Sequence, residues 1–234
     1  MKKVGGLFTC SALALMAFAA LPLCAAELAH RWSFTGNVKD SVTGVEAKSV
    51  GKANLSATAL VLPGGTHEAG HLDLGRNILP SDGSDVTIEM WATLRSVHFW
   101  ARIFDYGSDD KNYFTMAWSE SAKPDTDSIE MCCSGTKRSA FKMLCPYTVG
   151  TPCHISVTLV NNGNGSTTMR AMRRNAKTGK IEREHRQVYS GWTLASLVNP
   201  RFLLGGSQYA CDGDAGADYD EVRVWKGALT DAHL

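Results

Sequence analysis

Beyond residue 23 the sequence lacks any long apolar run, and along its whole length it lacks an excess of charge of either sign. Lys and Arg total 24, against 23 Asp and Glu. Proteins that bind nucleic acid or anionic membranes usually carry a clear basic excess. We therefore exclude nucleic acid as a partner. We also expect no transmembrane segment after the N-terminal region, because a spanning helix needs about 20 apolar residues.

One segment, from Arg170 to Arg186, is locally basic. Its cations are interleaved with Glu182 and Glu184, and apolar and polar residues alternate along it. This pattern favours the solvated face of a pair of strands, with surface ion pairs. A polyanion site is the alternative.

The sequence also lacks the motifs of common hydrolases. There is no Gly-x-Ser-x-Gly turn, and there is no run of alternating acids. Glycoside hydrolysis needs two carboxylates about 5 to 9 Å apart. Glu89 stands alone in its strand, and the adjacent Asp220 and Glu221 point to opposite faces of theirs. We predict a protein that is not an enzyme, with a glycoside hydrolase as the alternative.

Histidine and cysteine are not arranged for catalysis or for zinc. His154 and the neighbouring Cys153 point to opposite faces of a strand. His67 and His71 fall in a glycine-rich segment that we interpret as a loop, and their spacing suits a metal only on a helix. Cys-x-x-Cys pairs, which are typical of zinc sites, are absent.

The N-terminus has the layout of a secretory signal peptide. Lys2 and Lys3 precede an apolar stretch over 13–23, and Cys24-Ala25-Ala26 follows it. We predict cleavage after Ala26 and a protein that is secreted or held in the cell envelope. A lipid anchor at Cys24 is a minor alternative, because Leu23 is bulky for such a signal. Residues 27–234 then form one domain.

Five cysteines remain after that cleavage, in an oxidising compartment that favours disulfides: Cys132, Cys133, Cys145, Cys153 and Cys211. Cys145 and Cys153 bracket the turn 146–152, so antiparallel strands on either side would bring them within bridging distance. A second, weaker expectation joins Cys132 or Cys133 to Cys211.

Alternation with a period of two residues recurs along the mature chain and predicts strands. In one example, Val86, Ile88, Met90, Ala92 and Leu94 share a face. Further strands are predicted near 28–34, 56–62, 101–106, 112–118, 128–132, 139–144, 154–159, 167–174, 180–188, 202–204 and 219–225. About a dozen strands separated by Gly, Asn and Asp turns indicate an all-β, two-sheet antiparallel sandwich. At the C-terminus, 229–234 has the pattern of a helix that begins at Thr230.

Three stretches carry a resemblance: His30–Phe34 with Asp40 and Ser41, Val86–Trp91, and Asp220–Trp225 running into Gly227–Thr230. Together they resemble the bacterial laminin G-like or concanavalin A-like jelly-roll family over almost the whole mature chain. The resemblance implies two curved sheets, carbohydrate or protein ligands, and a structural calcium ion in many members. It implies no single function, because one fold hosts many sites.

A sugar site needs an exposed aromatic ring beside polar groups. Candidate ligand-binding residues at loops or strand ends are Trp100, Trp118, Trp192 and Tyr209. Each of these tryptophans can instead belong to the core. Trp32 and Trp91 lie in strand signatures, and we interpret them as structural.

A calcium site is predicted at Asp40 and Asp220. Alternation puts Asp220 on the core side with Val222 and Val224, and the resemblance puts the first and last strands side by side. Carboxylates and loop carbonyls are ligands that calcium prefers. Alternatively, Asp220 accepts backbone hydrogen bonds or is neutralised by Arg31. The acidic residues Asp212, Asp214 and Asp218 offer another position.

The sequence therefore predicts a secreted, non-catalytic binding module for a glycan or an extracellular protein. A glycoside hydrolase and a structural envelope protein are the alternatives.

Overall fold

The computed structural model describes residues 26–121, 123, 127–133, 138–142, 146–231 and 233. Apart from Ala26, the expected signal peptide lies outside these residues. Cys145 also lies outside them, so its bridge to Cys153 stays a prediction. Cys132 and Cys211 are free thiols in the structure, so the weaker second bridge is not formed.

The described chain is built from strands and a single 3-10 turn at Leu194–Ser196. The strands are β1 (Glu27–Trp32), β2 (Lys48–Gly51), β3 (Asn54–Leu55), β4 (Leu60–Gly65), β5 (Gly70–Arg76), β6 (Val86–Ser96), β7 (Arg102–Asp109), β8 (Asn112–Ala117), β9 (Ser128–Cys132), β10 (Ser139–Lys142), β11 (Pro152–Asn161), β12 (Ser166–Asn175), β13 (Ile181–Ser190), β14 (Arg201–Leu204) and β15 (Asp214–Lys226). None of the described helical segments is long and apolar enough to cross a membrane.

The strands form two antiparallel sheets. One has the order β13-β12-β11-β6-β15-β4-β3, with β1 also paired to β15, and the other has the order β10-β9-β8-β7-β14-β5-β2. We call these the eight-stranded sheet and the seven-stranded sheet. The all-β sandwich predicted from the alternation is confirmed, and the fold is a jelly roll.

The core lies between the two sheets, where the inward faces of their strands meet. Val86, Ile88 and Met90 of β6 are fully buried, as their alternation predicts. From the seven-stranded sheet, the ring of Phe104 packs 5.1 Å from that of Phe114 and 5.5 Å from that of Phe202, measured between centroids. Burial of such side chains is the main source of stability in a sandwich of this size.

The expected neighbourhood of the first and last strands is confirmed. β1 runs antiparallel to β15, from Glu27 opposite Lys226 to Trp32 opposite Val222. The N-terminal half of β15 pairs with β4 and its C-terminal half with β1. This long strand therefore joins both parts of the sheet.

Three strands were not predicted: β2, β3 and β5. β3 has only two residues, and glycines concealed the alternation in β2 and β5. Gly70 is required by packing, since a Cβ there would lie 2.6 Å from Cδ of Pro63. The interpretation of His71 as a loop residue is wrong. It lies in β5, is buried, and its Nδ1 is 3.1 Å from Oδ2 of Asp214.

At the C-terminus the described residues form a turn, in which the N–H of His233 donates to the carbonyl of Thr230 at 2.9 Å. Ala232 and Leu234 lie outside the described residues, so the predicted helix stays a prediction.

Candidate functional site

Two of the four predicted ligand-binding aromatics are core residues. Trp118 is fully buried, with its ring edge-on to Tyr147 at 4.7 Å. Trp192 is 3% exposed and packs against Phe114 at 5.8 Å. Neither presents a ring face to a ligand, because both rings are buried in the core. Both tryptophans therefore lie outside the candidate site.

The other two aromatics, Trp100 and Tyr209, come together although they are far apart in sequence. Trp100 precedes β7, and Tyr209 lies in the loop between β14 and β15. Both rings are half-buried and flank one guanidinium group. The Cζ atom of Arg102 lies 5.4 Å from the centroid of Trp100 and 5.9 Å from that of Tyr209, within the range of cation–π attraction.

Hydrogen bonds hold the loop of Trp100 in place. The N–H of Gly213, in the loop of Tyr209, donates to the carbonyl of Phe99 at 2.8 Å. The hydroxyl of Ser119, after β8, donates to the carbonyl of His98 at 2.8 Å. Trp100 itself has a φ of +51°, a conformation that costs energy for a non-glycine residue and that often occurs at functional sites.

Below the two rings lies a buried polar cluster. Arg102 Nη2 donates to Asp212 at 2.6 Å, and the Ser207 hydroxyl donates to Asp212 at 2.9 Å. Asp105, fully buried, accepts from the backbone N–H of Gln208 at 3.0 Å and so holds the loop that carries Tyr209. Burial raises the pKa of Asp105 to about 6, against the opposing charge of Arg102. Burial also raises the pKa of Asp212.

One side of the site is a chain of hydrogen bonds across β8 and β9. The hydroxyls of Tyr209 and Tyr113 are 3.1 Å apart, and the Tyr113 hydroxyl donates to Glu130 at 3.3 Å. Arg138 binds both carboxylate oxygens of Glu130, with its Nε 3.0 Å from Oε2. This bidentate hydrogen bond raises the pKa of Arg138.

These residues enclose a surface pocket of about 200 Å³, which we call the Trp100 pocket. Its lining residues are Phe99, Trp100, Arg102, Glu130, Arg138, Tyr209, Cys211 and Asp212. Two buried nitrogens of Arg102, Nε and Nη1, have no hydrogen-bond partner in the described part of the chain. Because buried donors are usually satisfied, unused donors here mark a place where a polar ligand gains hydrogen bonds.

The sequence did not reveal the charged members of this pocket. Glu130 lies at the centre of β9 between Ile129 and Met131, and a lone acid between two apolar strand residues is the signal that could have indicated it. Arg102 begins β7 and Arg138 directly precedes β10, and only the fold brings them together. Asp212 was considered for calcium, whereas its carboxylate is bound by Arg102.

The placement of Asp220 on the core face, on which the predicted calcium site depended, is wrong, and calcium binding itself stays a prediction. Asp220 is exposed and is the extra residue of a β-bulge between Tyr219 and Glu221, so it does not share the core face of Val222. An added residue in a strand breaks the alternation on which the prediction depended. Arg31 pairs with Glu221, at 2.7 Å, and not with Asp220.

The carboxylate of Asp40 accepts hydrogen bonds from its own turn and from β1. Its oxygens accept from His30 Nδ1 at 2.7 Å, from the N–H of Arg31 at 2.9 Å, from the N–H of Val42 at 3.0 Å and from the Thr43 hydroxyl. Although burial raises its pKa, these bonds together hold the pKa of Asp40 below its ordinary value. The carboxylate therefore stabilises a turn.

The acidic residues of the alternative position also have partners within the protein. Asp214 is bound by the N–H of Gly70 at 2.8 Å and lies next to His71, and Asp218 is paired with Arg95. No group of three or more His, Cys, Asp or Glu residues able to hold a metal occurs in the described ranges.

The outer face of the eight-stranded sheet carries a second polar cluster. Glu89 of β6 accepts from His154 Nε2 at 3.0 Å and from Trp225 Nε1 at 2.6 Å. The ring of Trp91 stacks on His154 at 4.4 Å. Of the surface ion pairs predicted for the basic segment, Arg170 with Glu184 at 2.8 Å is present. Arg173 also pairs with Glu182, at 3.0 Å, but Arg173 is buried and packs over the ring of Tyr147.

No family model and no curated protein matches this chain. Several solved structures share its fold. Domain 4 of AbnA, a GH43 extracellular arabinanase from Geobacillus stearothermophilus in complex with arabinotriose, has a TM-score of 0.60 and 15% identity, covering 88% of this chain and 96% of that one.

Two further structures are similar. The CBM40 of the Ruminococcus gnavus IT-sialidase, bound to α2,3 sialyllactose, has a TM-score of 0.55 and 13% identity, covering 75% of this chain and 93% of that one. The binding domain of botulinum neurotoxin DC, in complex with rat synaptotagmin II, has a TM-score of 0.59 and 11% identity, covering 89% of this chain and 49% of that one. At such identities the likeness shows the fold alone, and the laminin G-like resemblance stays a prediction.

Proposed function

We propose that this chain is a non-catalytic carbohydrate-binding module and that the glycan binds in the Trp100 pocket. The observation that carries the proposal is the placement of the Trp100 and Tyr209 rings on either side of Arg102, above a set of charged side chains. The similarity in fold to an arabinanase domain solved with arabinotriose and to a CBM40 bound to sialyllactose supports it.

The pocket offers what a sugar ring requires. A pyranose has an apolar face that packs on an aromatic ring, and its rim of hydroxyls needs both donors and acceptors. Arg102 and Arg138 supply donors, while Glu130 and Asp212 supply acceptors. A volume of about 200 Å³ is smaller than the roughly 300–1,000 Å³ of sites for drug-sized ligands, and it suits one ring of a glycan chain.

The charges in the pocket favour an uncharged sugar. Arg102 is paired with Asp212, and Arg138 is paired with Glu130, so the four side chains cancel. A ligand with a net charge would meet no excess of the opposite sign here. We therefore expect neutral glycans to bind more tightly than acidic ones at this site.

A glycoside hydrolase is the second candidate, favoured by the presence of two carboxylates, Glu130 and Asp212, in one pocket. Each carboxylate is held by an arginine, however. A general acid needs a carboxyl group that can give its proton to the substrate. Both oxygens of Glu130 are bound by Arg138, and Oδ2 of Asp212 is bound by Arg102 and Ser207, so the pairs suit binding better than proton transfer.

A glycan array with residues 27–234, followed by calorimetry on the best neutral ligand, tests the proposal. We expect Trp100→Ala and Tyr209→Ala each to weaken binding by roughly tenfold, since a lost ring contact of this type is worth about 1 kcal/mol or more. Trp91→Ala is the matched control, because it removes a half-buried tryptophan from the opposite sheet. Equal losses in all three variants, or an array on which no glycan is bound, would overturn the proposal.

Release of reducing sugar from polysaccharides distinguishes the two candidates. We expect none above that of a Glu130→Gln variant. Turnover by the unmodified chain that Glu130→Gln abolishes would establish the hydrolase instead.

We further propose that the chain is exported. The support is the sequence of the first 26 residues, with two lysines, an apolar stretch and a small-residue end. Mass spectrometry of the protein recovered from its native cells is expected to find Glu27 as the first residue. A first residue at Met1 would contradict this.

A further inference from the structure

A second pocket lies on the outer face of the eight-stranded sheet, on the opposite side of the sandwich from the Trp100 pocket. It has a volume of about 240 Å³ and sits where the turn between β12 and β13 approaches β6 and β15. We call it the Arg174 pocket. Its lining residues are Glu89, Trp91, His154, Arg174, Asn175, Ala176, Gly179, Arg223 and His233.

The one carboxylate that lines the pocket is already used. Glu89 is 2% exposed, and its two oxygens accept from His154 and from the Trp225 indole at 3.0 and 2.6 Å. Its oxygens therefore have little remaining capacity to form a direct ion pair with the arginines beside it.

Arg174 has no carboxylate partner within ion-pair distance among the described residues. The hydrogen-bond contact of its guanidinium is the sulfur of Met172, 3.5 Å from Nη2, and its buried Nε has no partner. A thioether is a weak acceptor. The guanidinium of Arg174 thus has N–H donors without a strong acceptor among the described residues.

Arg223, the second guanidinium, is only partly neutralised. It contacts Glu221 at 2.5 Å, but Glu221 also binds Arg31 at 2.7 Å, so one carboxylate serves two cations. The Arg223 Cζ atom also lies 4.7 Å from the centroid of Trp91, which orients the guanidinium beside the pocket.

The surrounding charge has the same sign. Between Arg170 and Arg186 the chain has seven Lys and Arg residues and two Glu residues, a local excess of +5 in a chain whose net charge is +1. Glu182, Glu184 and Asp231 form ion pairs with Arg170, Arg173 and Arg186. Arg174, Lys177, Lys180 and Arg183 have no such ion pair in the described residues.

We propose that the Arg174 pocket binds an oxyanion of the carboxylate or sulfate type, with Arg174 as the main ligand and Arg223 as the second. A guanidinium binds such groups with two parallel hydrogen bonds, which gives geometry as well as attraction. The chemistry is shared by a free sulfate ion, a sulfate ester and the carboxylate of a uronic acid. This site is separate from the proposed neutral-glycan site, so either can fail without the other.

Calorimetry with three probes distinguishes the sources: inorganic sulfate, a sulfated oligosaccharide, and a galacturonate oligosaccharide with its neutral galactose counterpart as reference. We expect at least one anionic probe to bind and the neutral counterpart to bind at least about tenfold more weakly at this site. Binding should weaken as salt is raised, because part of it is Coulombic.

The variants are Arg174→Gln, Arg174→Lys and the matched control Arg186→Gln, which removes the same charge from the same face outside the pocket. We expect Arg174→Gln to weaken binding of the anionic probe by about tenfold or more. Arg174→Lys should recover only part of the lost affinity, because lysine lacks the planar guanidinium that forms two parallel hydrogen bonds. Arg186→Gln should change affinity less than about twofold, since its charge is exposed.

Equal losses in Arg174→Gln and Arg186→Gln would show a diffuse basic surface and overturn the proposal, as would the absence of binding by all three anionic probes. An unchanged thermal midpoint in Arg174→Gln shows that any lost affinity comes from the pocket and not from unfolding. The neutral glycan of the Trp100 pocket should bind this variant as it binds the unmodified chain, which separates the two sites.

Discussion

Oδ2 of Asp105 lies 3.9 Å from Nε of Arg102, and both side chains are excluded from solvent. The pair supports the loop of Tyr209, because Asp105 also accepts the N–H of Gln208. With its pKa raised to about 6 in the folded chain, Asp105 keeps a proton at pH values where the unfolded chain has released it.

The stability linked to Asp105 is therefore present below about pH 4 and lost as pH rises through about 6. We expect Asp105→Asn, which preserves the acceptor for Gln208, to gain stability relative to the unmodified chain between pH 4 and 7, by up to about 3 kcal/mol. Urea denaturation at pH 4.5, 5.5 and 7 measures this. Parallel pH curves for the two proteins would show that Asp105 does not titrate in this range.

Trp118 and Trp100 should differ strongly in their effect on stability. Trp118→Ala removes a fully buried ring and is expected to lower the free energy of unfolding by about 3–5 kcal/mol. Trp100→Ala removes a half-buried ring at the surface, and we expect less than about 1.5 kcal/mol. Urea denaturation of both variants makes the comparison. A larger loss in Trp100→Ala would place that ring in the core instead of in a binding pocket.

The two aspartates predicted to bind calcium, Asp40 and Asp220, should also differ in their contribution to stability. Asp40→Ala leaves donors from His30, Arg31, Val42 and Thr43 without their acceptor, and we expect a loss of about 2–4 kcal/mol. Asp220→Ala should change stability by less than about 0.5 kcal/mol, because Asp220 is exposed at a bulge. Thermal and urea melts of the two variants test this contrast. A similar loss in both would mean that Asp220 has a structural role.

Tyr209 allows the ring and the hydroxyl to be separated. Tyr209→Phe keeps the ring beside Arg102 and removes the hydrogen bond to Tyr113, so we expect glycan affinity to fall less than about threefold. Tyr209→Ala removes both and should weaken binding by roughly tenfold. Calorimetry with the same neutral glycan gives the ratio. Equal losses in the two variants would assign the contribution to the hydroxyl.

Much of the sandwich was predictable because strand alternation is a local signal. The faces of β6 and β11 follow directly from their sequences, and the pairing of β1 with β15 follows the family resemblance. β5 was concealed by Gly70 and Gly75. The site was predictable only in part, since Trp100 and Tyr209 were candidates but Trp118 has the same local signature and lies in the core.

The misplacement of Asp220 has a clear physical cause. Counting back from Val222 in steps of two places Asp220 on the core face. The bulge adds one residue to the strand, so the core face continues at Tyr219 and Asp220 is exposed. A bulge depends on how β15 fits against β6, which are more than a hundred residues apart, so the local sequence does not encode it. The partners of Arg102 are likewise decided by contacts between distant strands.

The pairing of Glu27 with Lys226 also determines how the sandwich responds to mechanical tension. A pull applied at these two residues acts on one end of the β1–β15 ladder, so its hydrogen bonds break one after another and are not sheared together. Each step breaks about one hydrogen bond, which contributes roughly 1 kcal/mol net to stability. Under load, β1 therefore peels away first, while the sheet centred on β6 stays closed.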